Sequence, residues 1–192
     1  EAERQRREAE EAERKRREVA EAERKRREAA EAERQRREAE EAERKRREGP
    51  KDKKLIRSDA DIKTAVNAWC DNKRTAEAKY GHISQWDTSK VTSMYELFED
   101  KKDFNEDISN WNVSAVTTMY CTFRNAAAFN QPLEKWTVSA VTNMRWMFEG
   151  AAAFNQPLEK WNVSAVTNMR WMFEGAAAFN QPLEKWNVSA VT

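Results

Sequence analysis

From Trp86 onward the chain repeats itself every 25 residues without a gap, which restricts the fold to an array in which each unit contacts only its neighbours. The units are Trp86–Asn110, Trp111–Lys135, Trp136–Lys160 and Trp161–Lys185, and a further one begins at Trp186 and reaches Thr192. The third and fourth differ only at Thr137 versus Asn162. Such identity reads as recent duplication or deliberate construction, and the stop within a unit reads as a fragment without a C-terminal cap.

Two periodicities alternate inside a unit. Leu133, Trp136 and Val138 have the spacing that turns apolar side chains inward along a short strand, as do Ile83, Trp86 and Thr88 earlier. Val141, Met144, Met147, Phe148 and Ala151 then follow at helical spacing, so a short helix is expected opposite the strand. A Phe-Asn-Gln-Pro corner returns the chain. Stacking would align Phe104, Phe129, Phe154 and Phe179 in one spine and Phe98, Phe123, Phe148 and Phe173 in another. Ladders of Asn105, Asn130, Asn155 and Asn180, and of Thr92, Thr117, Thr142 and Thr167, are read as satisfying turn backbone groups.

The unit WNVSAVTNMRWMFEGAAAFNQPLEK resembles the BspA-like leucine-rich repeat, with its W(D/N)VSxVTxM and MFxxAxxFN signatures. Such repeats occur on bacterial and mycoplasma surface lipoproteins and in algal and protist proteins. The resemblance covers Asp61 to Thr192, and the stretch AVNAWC…AEAKYGHISQWDTSKVTSM is similar to the cap that opens algal and protist arrays. It implies a binding or adhesion module without catalysis and leaves the ligand open.

The chain before the repeats differs in kind. With 36% charged residues and a mean hydropathy of −1.04, the 192 residues cannot form one ordinary globular domain. Residues 1–48 hold only Glu, Arg, Lys, Ala, Gln5, Gln35 and Val19, whereas every aromatic, Met and Cys follows residue 50. Glu3 to Arg7, Glu13 to Arg17 and Glu23 to Arg27 follow the favourable i to i+4 order, predicting a long single helix. A coiled coil would need an apolar seam that is missing, and a solvated charge run is the other reading. Gly49-Pro50 ends this segment, residues 49–57 form a linker, and residues 58–85 read as a helical N-terminal cap. In that cap Ser58 and Asp61 suggest a capping box, Ile62, Ala65, Val66 and Trp69 share one helical face, and Gly81 ends a second helix. The predicted fold class is therefore an α/β repeat: a leucine-rich-repeat-like solenoid over 86–192 with a helical N-terminal cap, preceded by a long charged single α-helix.

Function follows largely by exclusion. Net charge near zero in each half argues against nucleic acid and anionic lipid as partners, and no apolar run is long enough for membrane insertion. His82 is the only histidine, Cys70 and Cys121 show no metal-ligand spacing, and four glycines leave no phosphate-cradling loop. No catalytic residue, metal or cofactor is expected. Cys121 aligns with Glu96, Trp146 and Trp171 and is expected as an exposed free thiol. The sequons at Asn112, Asn162 and Asn187 read as surface asparagines on the strands. Trp146 and Trp171, one above the other on the outer helix face, are candidates for docking a protein partner, the alternative being that both rings pack against neighbouring units and thicken the core. The Glu134-Lys135, Glu159-Lys160 and Glu184-Lys185 pairs are expected on the strand face as a second, mixed-charge surface. The reading is a non-enzymatic scaffold within a larger intracellular assembly, the helix acting as spacer; the alternative is a cell-surface adhesin with the helix as stalk.

Overall fold

The computed structural model describes Glu1, Arg26, Glu31, Glu33, Arg34 and residues 55–192. Contacts divide the chain into two units, Glu1–Lys51 and Asp52–Thr192, and the elements below all belong to the second. The charged helix expected over residues 1–48 lies, apart from those five positions, outside the described residues.

Strand β1 (Ile56–Ser58) is followed by α1 (Ile62–Asp71), α2 (Lys73–Tyr80), a 3-10 turn (Ile83–Gln85) and strand β2 (Asp87–Lys90). The two strands pair in parallel, Ile56 opposite Asp87 and Ser58 opposite Lys90, with an irregularity between. Helix α1 buries Ile62, Ala65, Val66 and Trp69, the apolar set that its i, i+3, i+4, i+7 spacing places on one face. The Asp61 carboxylate accepts from the Ser58 N–H at 2.9 Å and pairs with Arg57, but Ser58 belongs to β1 and Asp61 itself is the N-cap of α1 without a side-chain cap bond, so the expected capping box does not form. Asn72 caps α2 by accepting from the Thr75 N–H at 3.1 Å, and Gly81 ends it at φ 75°.

The leucine-rich-repeat-like solenoid is not what forms. The described regular elements are two helices, one 3-10 turn and a two-stranded parallel sheet, with no strand at Leu133–Val138, no helix over Val141–Ala151 and no long helix among the described residues. The reason lies in where the backbone N–H groups go. Those of Met144, Trp146, Phe148 and Gly150 donate to the carbonyls of Asn168, Arg170, Met172 and Glu174 in the next unit, at 2.7–3.1 Å, instead of four residues back. Between them Met147, Glu149 and Ala151 bond three residues back. Trp146 and Gly150 take positive φ, 56° and 66°, which a helix cannot absorb. At Gly150 a Cβ would collide with the Asn125 side-chain oxygen, so glycine meets a steric as well as a conformational need.

The units therefore stack as irregular turns joined across their edges, with isolated parallel bridges Ser93–Thr118, Thr118–Asn143 and Asn143–Asn168. One apolar core runs through the stack from Ile62 to Met172. Phe98, Phe123, Phe148 and Phe173 stack at 5.2, 5.4 and 5.6 Å between ring centroids, and Phe104, Phe129, Phe154 and Phe179 at 5.8, 5.9 and 6.0 Å. Polar ladders bind the turns where no regular structure could. Each Asn side chain accepts the N–H of its successor, as in Asn130 to Asn105 at 2.9 Å, and each Thr hydroxyl reaches the preceding Thr carbonyl, as in Thr142 to Thr117 at 3.2 Å. The repeat tryptophans serve both core and ladder: the indoles of Trp111, Trp136 and Trp161 donate to the buried carbonyls of Ile83, Ile108 and Leu133 at 2.9, 3.1 and 2.9 Å.

The first turn has no predecessor, and the N-terminal segment supplies substitutes. Thr92 donates its N–H to the Asp59 carboxylate at 2.8 Å, where Thr117 and Thr142 donate to the preceding Thr carbonyl. Lys63 pairs with Glu96 at 3.3 Å and Lys73 with Glu106 at 2.6 Å.

Candidate functional site

In each unit one residue with left-handed φ occupies the same place: Glu96, Cys121, Trp146 and Trp171, at 50°, 52°, 56° and 58°. A bulky residue at positive φ is uncommon, and here the inter-unit hydrogen bonds on both sides hold it. The two tryptophans stack nearly parallel, ring centroids 5.2 Å apart and planes 7° off, with Trp146 partly covered and Trp171 38% exposed. They are brought together as their alignment implies, but on a turn and not on a helix.

Around them lies a strip that the sequence reading missed. Tyr95 and Tyr120 stack at 4.8 Å, and Tyr120 meets Trp146 edge-on at 5.5 Å, so four aromatic residues run across successive units. The guanidinium of Arg145 lies 3.7 Å from the Trp146 ring centroid and 5.0 Å from that of Trp171, and Arg170 lies 3.9 Å over Trp171. The available signal was the alignment: Tyr95, Tyr120, Arg145 and Arg170 occupy one repeat position, immediately before the left-handed residue. Arg124 is held by Glu99 and Glu149, both at 2.9 Å, and reaches Trp146 only at 5.7 Å. Neither Arg145 nor Arg170 forms an ion pair among the described residues, and no acceptor there takes the indole N–H of Trp146 or Trp171. The Tyr95 phenol is pushed up to about 12, first by its hydrogen bond with the Glu96 side chain.

Cys121 corrects the expectation of an exposed thiol. It is 0% exposed, and burial pushes its thiol up. A small side chain one unit before Trp146 is covered, whereas Glu96 at the equivalent position keeps its charge in contact with Lys63. Cys70 is half-buried, and both cysteines are free.

The Glu-Lys residues form a different feature. They sit on turns where the strand face was expected, and they pair between units: Lys160 with Glu134 at 2.9 Å and Lys185 with Glu159 at 3.0 Å. Lys135 and Glu184 make no ion pair among the described residues. Among the described residues no hydrogen bond, ion pair or ring contact joins this ladder to Trp146 or Trp171. Asn112, Asn162 and Asn187 likewise lie on turns, their side-chain oxygens accepting the N–H two residues on. His82 packs edge-on against Trp69 at 5.0 Å with its Nδ1 2.8 Å from the Ser84 hydroxyl.

Clefts open at two places among the described residues. One of about 460 Å³ beside α1 is lined by Trp69, Cys70, Lys73, Lys101, Asp103 and Glu106, and its walls are joined by the Lys73–Glu106 pair. The other, about 340 Å³ and apolar, is lined by Met169, Met172, Phe173, Leu183, Trp186 and Val188. Among the described residues no three His, Cys, Asp or Glu side chains converge as metal ligands, and no helix is long and apolar enough to cross a membrane.

A family model described as "Mycoplasma protein of unknown function, DUF285" matches residues 65–186. The chain belongs to this family. The DUF285 match begins in α1 and ends at Trp186, so it takes in the whole aromatic–arginine strip from Tyr95 to Trp171. No curated protein and no solved structure matches the chain.

Proposed function

We propose that residues 52–192 form a non-catalytic binding module that docks a protein partner on the strip of Tyr95, Tyr120, Trp146 and Trp171. The observation that carries this reading is the stacked Trp146–Trp171 pair with its overlying arginines, part of it 38% exposed at Trp171, on a surface otherwise built from turns. Trp, Tyr and Arg are the residues enriched at interface hot spots, where truncation typically costs ~2 kcal/mol or more. The stacked units provide a base for the strip, because the Trp146 N–H donates to the Arg170 carbonyl of the next unit and the Tyr120 carbonyl accepts from the Glu96 N–H of the preceding one. A scaffolding role within a larger assembly fits such a module.

The test is the double variant Trp146→Glu and Trp171→Glu. Glu96 already occupies this left-handed position, so the backbone accommodates the change. In selection against a random peptide library, the wild-type chain should enrich binding sequences and the double variant none, with the melting temperature unchanged. A large fall in melting temperature would instead make the strip part of the core, and failure of the wild-type chain to enrich any peptide would refute the reading.

A second reading, a surface adhesin, has one observation in its favour. The BspA-like signature of the repeats is that of bacterial and mycoplasma surface lipoproteins, and the matched family is mycoplasmal. A signal peptide or lipobox at the start of the gene would support it, and a cytoplasmic start would remove it.

A further inference from the structure

We infer that the partner segment recognised by this strip is acidic, its carboxylates received by Arg145 and Arg170 and by the indole N–H groups of Trp146 and Trp171; this rests on the docking reading above. The ring faces are not available. Trp146 and Trp171 cover one another at 5.2 Å, and the guanidiniums of Arg145 and Arg170 lie over them at 3.7 and 3.9 Å. A sugar or a nucleobase would need an open ring face to stack on. The edge of each ring is the positive side of its aromatic quadrupole.

Hydrogen-bonding capacity points the same way. Arginine and the indole N–H offer donors and no acceptor. The nearby carboxylates are committed elsewhere: Glu96 to Lys63, and Glu99 and Glu149 to Arg124. Glu174, four residues beyond Arg170, is exposed and forms no ion pair among the described residues. The strip is thus a row of donors whose two guanidiniums, Arg145 and Arg170, form no ion pair among the described residues. Stacking on indole holds each guanidinium over a ring, and a planar guanidinium suits bidentate carboxylate binding. The two guanidiniums belong to equivalent positions in consecutive units, so they offer successive seats to an extended acidic segment lying along the stack.

The experiment uses the full chain and two labelled peptides, one alternating Glu and Leu and the other its Gln counterpart, read by fluorescence anisotropy. The Glu peptide should bind at least about tenfold more tightly than the Gln peptide, with affinity falling as salt is raised. Arg145→Gln with Arg170→Gln should weaken the Glu peptide at least about tenfold without moving the melting temperature. Lysine at both positions should restore part of the loss, because charge returns without the planar fork. Equal affinity for the two peptides, or indifference to the Arg→Gln changes, overturns the inference. If both peptides bind equally and Trp146→Glu with Trp171→Glu abolishes both, docking survives and the acidic specificity fails. If neither peptide binds and heparin does, in an Arg-dependent way, the ligand is an anionic polysaccharide and both readings fall. Absence of binding to all three also overturns the inference.

Discussion

Asp59→Ala removes the carboxylate that stands where a preceding unit would be. Its oxygens accept from the Thr92 N–H at 2.8 Å, the Ser93 N–H at 3.1 Å and the Thr92 hydroxyl. Asp59 is exposed, so the freed donors turn to water and are not stranded in a dry core. The cost is then that of losing a helix-capping side chain, about 1 kcal/mol within a range of about 0.5–2. For a domain of this size that lowers the melting temperature by roughly 3–4 °C. Asp59→Asn keeps one acceptor oxygen and should lose less than half as much. A pH signature accompanies it. Partial burial pushes the Asp59 carboxyl up, but hydrogen bonds from the side chain and backbone of Thr92 and from Ser93 outweigh this and hold it below its ordinary value. A depressed folded-state value means stability that is present above the unfolded carboxyl value near ~3.9 and lost as pH falls through the folded one. Urea unfolding followed by tryptophan fluorescence, at neutral pH and stepwise below pH 4, measures both effects. The wild type should lose its advantage over Asp59→Ala in acid. A variant as stable as wild type at neutral pH, or a gap that persists unchanged in acid, would refute the view of Asp59 as the first rung of the ladder.

Two further outcomes follow from the stack. Trp136→Phe leaves the buried Ile108 carbonyl without its 3.1 Å donor and should cost about 2–3 kcal/mol in urea unfolding, whereas Trp186→Phe, half-buried and 3.0 Å from Leu158 O, should cost less than about 1 kcal/mol. Thiol titration with a chromogenic disulfide should find Cys121 unreactive in the native chain and reactive in urea, with Cys70 intermediate, because burial shields and raises both thiols; rapid native labelling of Cys121 would contradict its placement.

Several features were legible because they depend on identity at fixed spacing. The phenylalanine columns, the Asn and Thr ladders and the stacking of Trp146 on Trp171 all follow once the units lie in register. The buried face of α1 follows from local periodicity alone. What misled was spacing that two conformations satisfy. Val141, Met144, Met147, Phe148 and Ala151 bury equally well on a helix or on a run of three-residue turns. Gly150 and Gly175 take left-handed φ, which glycine adopts without strain, but nothing in Trp146 or Trp171 announces a positive φ. Cys121 was judged by its alignment with Glu96, although its exposure depends on the size of its neighbours.

The sequence by itself determined that the chain after Trp86 is an array, what its period is, and which side chains meet their own kind in the next unit. Tertiary structure decided the conformation of each turn and the chemistry of the strip. The N–H of Trp146 can bond four residues back or to Arg170 in the next unit, and the choice depends on a neighbour presenting its carbonyls at that edge. The same choice sets φ at Trp146 and Trp171 and brings Arg145 and Arg170 over the rings, so the aromatic–arginine strip arises from competition between local and inter-unit hydrogen bonds that no single unit can settle.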